Sequence, residues 1–124
     1  MALDWNSDAL AEGLRCYCRE EFFLAHEHWE STWLRCEGAE KTFLQALIQL
    51  SAAFHHLQRR NRLGAISLLR TALRRLEAYP AEYGGITVEP VRESARAWLQ
   101  ALEHDEQPPA LLFPRIQCIP PIGA

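Results

Sequence analysis

The chain has 124 residues, of which 48% are hydrophobic and 10% aromatic, enough to fill one core without disulfide or metal staples. A formal net charge of -3 argues against a dedicated nucleic-acid binder. No segment approaches the roughly 20 uninterrupted apolar residues of a membrane helix, and Met1 to Ser7 lacks a basic stretch followed by an apolar run, so the reading is a soluble cytoplasmic protein with no membrane contact.

Ser7 suits an N-cap, and Asp8 to Cys18 repeats apolar residues at Leu10, Leu14 and Tyr17, which predicts a first helix. A second helical stretch runs from about Glu21 to Arg35 and ends near Gly38. The apolar phase changes around Arg19 and Glu20, so the two are either separate helices or one kinked helix. From Ala39 to about Arg60 the chain is apolar on almost every side, the signature of a buried central helix. Asn61 can cap a fourth helix, Leu63 to about Ala78, whose Ile66, Leu69, Ala72, Leu73 and Leu76 form one stripe; Pro80 and Gly84-Gly85 end it. Val88, Val91, Ala95, Trp98 and Leu102 predict a fifth helix.

After Gln107 five of the seven prolines cluster beside Leu111, Leu112, Phe113, Ile116 and Ile119. This composition predicts an extended apolar tail, residues 108–124, packed on the helical domain of residues 1–107 or on a second subunit, which makes a homo-oligomer one reading. The fold class is all-α, a compact bundle of about five helices around a buried central one.

The acid-free stretch between Lys41 and Glu77 holds Arg59, Arg60, Arg62, Arg70, Arg74 and Arg75, read as a solvated helix face in preference to an anion site. Cys16, Cys18, Cys36 and Cys118 show no C-x-x-C spacing, and Cys16 and Cys18 point roughly 200° apart on a helix, too far to chelate one ion together. They read as small core thiols, with a site joining Cys16 or Cys18 to Cys36 as the minor alternative. Trp29, Trp33 and Trp98 read as core, and Tyr79, Tyr83 and His104 as turn or surface residues.

Polar residues stand out on two apolar faces. His26 and Glu30 share an arc of the second helix with Phe22, Trp29 and Trp33, while Glu27 and His28 turn away from it. Gln45, Gln49, Ala52 and His56 share a stripe of the central helix. A buried carboxylate or imidazole must be satisfied, so the expectation is that the two stripes face each other and bring His26, Glu30, Gln49 and His56 together. His26, Glu30 and His56 are then candidate ligands for a divalent ion such as zinc, with Gln49 and Glu27 as candidate catalytic residues. HEHWE fails the zincin pattern, because Glu30 stands where the second histidine belongs. The same cluster also reads as a structural hydrogen-bond network.

The runs FFLAHEHWESTW, FLQALIQLSAAFHH and Asn61 to Leu69 together resemble the domain of unknown function 309 family, over about Glu21 to Glu77. That resemblance implies an all-helical orthogonal bundle and an activity as a metal-dependent hydrolase. It places matching positions at His26, Glu30, Gln45, Gln49, His56, Asn61, Gly64 and Ala65. Ser51 stands where alanine is more usual, and His55 where an aromatic is expected, which leaves the choice between His55 and His56 open. Asn61 to Pro80 also resembles half of a tetratricopeptide unit, but no second copy of that period follows. Two functions compete: a metal-dependent hydrolase, and a non-enzymatic helical interaction module whose polar cluster is structural.

Overall fold

A computed structural model describes residues 3–104 and 111–119. The expected domain boundary at Gln107 and the tail residues 108–110 and 120–124 lie outside the described residues. Helices α1 (Asp8–Cys18), α2 (Phe22–Trp33), α3 (Gly38–Gln58), α4 (Arg62–Leu76) and α5 (Val88–Glu103) make an all-α bundle, joined between α4 and α5 by a small hairpin, β1 (Glu82–Tyr83) and β2 (Ile86–Thr87). No helix among the described residues is long and apolar enough to cross a membrane.

The seam at Arg19 and Glu20 is a true break. Glu20 adopts φ 62°, and the amides of Glu20 and Glu21 turn back to Tyr17 O (2.9 Å) and Cys16 O (2.9 Å), a Schellman closure that occupies the last carbonyls of α1. The same closure ends α3, where Arg60 takes φ 61° and the Asn61 amide reaches His56 O at 2.8 Å. Gln58 Nε2 donates to Glu20 O at 2.9 Å and ties the two turns together. Asn61 caps α4 by accepting from the Gly64 amide at 3.0 Å. Ser7 occupies the N-cap position of α1, but its hydroxyl donates to Asp4 O instead of capping.

Each helix packs on its neighbour in the chain, and α3 and α4 share the most extensive interface. As its all-round apolar pattern demands, α3 buries Phe43, Leu44, Leu47, Leu50 and Phe54 completely. Gly13 lets α1 approach α2 closely, since its missing side chain makes room for the buried indole of Trp29.

Gly84 and Gly85, both at positive φ (61° and 83°), form the two-residue turn of the β1–β2 hairpin and do not terminate a helix; α4 has already ended at Leu76. Tyr79 and Tyr83 are more than turn residues, since their rings lie 5.1 and 4.9 Å from that of Phe43. Arg92 is buried and donates to Leu76 O at 2.9 Å and to Tyr79 O, serving the carbonyls at the end of α4 while pairing with Glu89.

Residues 111–119 carry no helix and lie across the bundle. Phe113 stacks on Trp98 (centroids 5.3 Å, planes 4° apart) and meets Phe22 and Phe54 edge-on at 4.9 Å. Tyr17 Oη donates to Pro114 O (2.6 Å) and Trp98 Nε1 to Leu112 O (2.9 Å). Beyond them, Thr87 N donates to Gln117 O and Ile119 N to Gly85 O, so the strap pairs with the hairpin through Ile86 and Cys118.

Candidate functional site

His26 and Glu30 meet on α2, with Nε2 3.3 Å from Oε2 and side chains 29% and 48% exposed. Their position is a rim, not an interior. Nδ1 of His26 is buried among the protein atoms with no hydrogen-bond partner. Glu27 is exposed, as expected.

The polar stripe of α3 faces α4 instead of α2. Gln49 Oε1 accepts from Arg75 Nε at 3.1 Å, and His56 Nδ1 lies 2.9 Å from Asn61 Nδ2. The row of α3 that faces the start of α2 is Ser51, His55 and Gln58. Ser51 Oγ donates to Phe22 O at 2.7 Å, and the His55 ring lies 5.2 Å from that of Phe23. His55 is therefore the α3 imidazole beside His26. Burial first, then the charges of Arg59, His56 and His26, hold its pKa below the ordinary 6.5.

A different set converges between α1 and α2. One ligand atom each from Glu12, Cys16 and His28 lie within 4.8 Å of one another. Glu12 and Cys16 are one turn apart on α1, so both project from the same face. His28, expected to turn to solvent, is half-buried against them because the face of α2 that carries it packs on α1. The signal available in the sequence was the i, i+4 spacing of Glu12 and Cys16; what it lacked was the rotation of α2.

Arg15 donates to Glu12 Oε2 from Nη2 (2.5 Å) and Nε (3.1 Å), and this bond and its charge lower the Glu12 pKa. Burial, then the carboxylates of Glu21 and Glu12, raise that of the Cys16 thiol, so the site as it stands favours the protonated sulfur. Cys36 is buried, like Cys16, whereas Cys18 and Cys118 are exposed.

Three of the six arginines in the run between Lys41 and Glu77 are engaged with neighbouring elements. Arg70 pairs with Glu103 across the α4–α5 interface, Arg62 donates to Leu102 O, and Arg75 holds Gln49.

No curated protein matches the chain. Residues 10–68, which hold nearly all of α1, the whole of α2 and α3 and the start of α4, match the model of a family described as a domain of unknown function (DUF309), the family that the motifs of α2 and α3 resemble.

Proposed function

We propose that this domain binds a divalent metal ion through Glu12, Cys16 and His28 and works as a metal-dependent hydrolase. The observation that carries the reading is the convergence of a carboxylate, a thiol and an imidazole from two helices within 4.8 Å. Sulfur, nitrogen and oxygen donors together suit zinc, and three protein ligands leave a fourth place in a tetrahedral shell. An ion held in this way supplies Lewis-acid activation of a carbonyl or phosphoryl oxygen. Cys16 must give up its proton for the ion, and Arg15 must yield part of its hold on Glu12.

The set expected from sequence, His26, Glu30 and His56, is the competing proposal for the ion. In its favour, His26 Nε2 and Glu30 Oε2 already stand 3.3 Å apart. Elemental analysis of untagged protein after zinc loading separates the two. The expected result is near-stoichiometric zinc that is lost in Cys16→Ser and His28→Ala and retained in His26→Ala. Loss in His26→Ala with retention in Cys16→Ser moves the site to α2, and absence of zinc from the loaded wild type overturns the metal reading altogether.

The non-enzymatic reading has its own support in α2, where Phe23 is 48% exposed with its ring 5.9 Å from that of His26. It requires a contact surface, and Phe23→Ser should then weaken association with a partner or a second copy without changing helicity.

A further inference from the structure

We infer that Arg15 is the ligand-recognition residue of the Glu12–Cys16–His28 site and that it selects an oxyanion of the phosphate class. This rests on the metal-binding reading above. Arg15 shares a surface groove with Asp8, Ala9, Glu12 and His28, so its guanidinium borders two of the three proposed ligands. Both of its bonds fall on one oxygen, Glu12 Oε2, although the planar fork of an arginine is built to serve two oxygens at once. The Arg15 side chain is 57% exposed, which leaves it room to turn toward a ligand in the groove.

Charge points the same way. A divalent ion neutralises the Glu12 carboxylate and a Cys16 thiolate, and Arg15 then loses the ion-pair partner that balances its charge. Asp8 is the opposing charge in the groove, and an incoming anion must lie on the Arg15 side of it. A tetrahedral phosphoryl group can offer one oxygen to the ion and two to the guanidinium fork.

Two consequences of opposite sign follow for Arg15. Without an anion it competes with the ion for Glu12 and weakens metal binding. With one it joins the ion in holding the anion, and by linkage the anion tightens metal binding.

The test is a cobalt(II) titration of the full chain, followed by visible absorption, including the thiolate-to-cobalt charge-transfer band, with and without methylphosphonate. In the wild type, methylphosphonate should tighten cobalt binding. In Arg15→Gln, cobalt alone should bind more tightly than in the wild type, and the tightening by methylphosphonate should fall by roughly tenfold, the loss expected for a charge-assisted hydrogen-bond pair. Circular dichroism of the variant checks that the helices are intact. A normal cobalt spectrum with an undiminished methylphosphonate effect in Arg15→Gln overturns this inference alone. Equal tightening by acetate overturns the phosphate class, and absence of the thiolate band from the wild type overturns the metal reading together with the inference.

Discussion

Gly13 of α1 lies against the indole of Trp29 on α2, and a Cβ built there would overlap Cδ1 and Nε1 and stand 3.0 Å from Cε2. The indole nitrogen donates to Leu10 O at 3.2 Å, so the contact is oriented as well as close. It also sets the candidate metal site, since Glu12 precedes Gly13, His28 precedes Trp29, and the approach of the two helices brings those neighbours together. In Gly13→Ala the gain in helix propensity, about 1 kcal/mol, is outweighed by overpacking, which costs typically about 1–3 kcal/mol and here more because the indole is fully buried. Urea denaturation should show a net loss of about 2 kcal/mol, and zinc uptake should fall in parallel. An unchanged midpoint would mean that the helices separate freely.

The two Schellman turns carry non-glycine residues in the left-handed region, Glu20 at φ 62° and Arg60 at φ 61°. Such a residue costs about 1–2 kcal/mol, part of which glycine returns as extra unfolded-state entropy. Arg60 is exposed, so Arg60→Gly loses little packing and should raise stability by about 0.5–1 kcal/mol, read as a higher thermal midpoint. A lower midpoint would show that the Arg60 side chain contributes more than its backbone costs.

The helices were legible because four have an apolar period of their own and α3 is apolar all round, and the break near Glu20 showed as a change of apolar phase. Less legible was which neighbour each stripe faces. Gln49 and His56 lie on the stripe expected to meet α2, yet a rotation of about 100°, one residue's worth, gives that place to Ser51, His55 and Gln58. The rotation is fixed by distant fits such as Gly13 on Trp29 and Ser51 Oγ on Phe22 O, which no local pattern records. His28 was hidden by the same effect, and Arg92 by another, because its burial depends on carbonyls from α4 and the following turn.

His55 gives a pH signature. Its pKa is lowered in the folded state, first by burial and then by Arg59, His56 and His26, so between the ordinary 6.5 and its folded value the unfolded chain binds a proton that the folded chain does not. The contribution to stability is present above pH 6.5 and is lost as the pH falls toward the folded pKa. Imidazole proton NMR should place the His55 midpoint below 6.5, and His55→Gln should flatten this part of the stability profile. A midpoint above 6.5 would contradict the desolvated position of the ring beside Phe23.

The strap of residues 111–119 completes the core through Phe113, whose ring contacts Phe22, Phe54 and Trp98 from α2, α3 and α5. Removing that ring opens a cavity among three aromatic side chains, and Phe113→Ala should cost about 3 kcal/mol, the low end for a phenylalanine because the residue is only partly buried. Trp98 would lose its stacking partner to water, so its fluorescence should shift to the red. Tyr17→Phe removes the 2.6 Å bond to Pro114 O while keeping the ring, and should cost only about 1 kcal/mol. If the strap closes the core, the two losses should differ in this order and the red shift should accompany the larger one. Equal and small losses, with Trp98 emission unchanged, would mean that the strap lies on the bundle without sealing it.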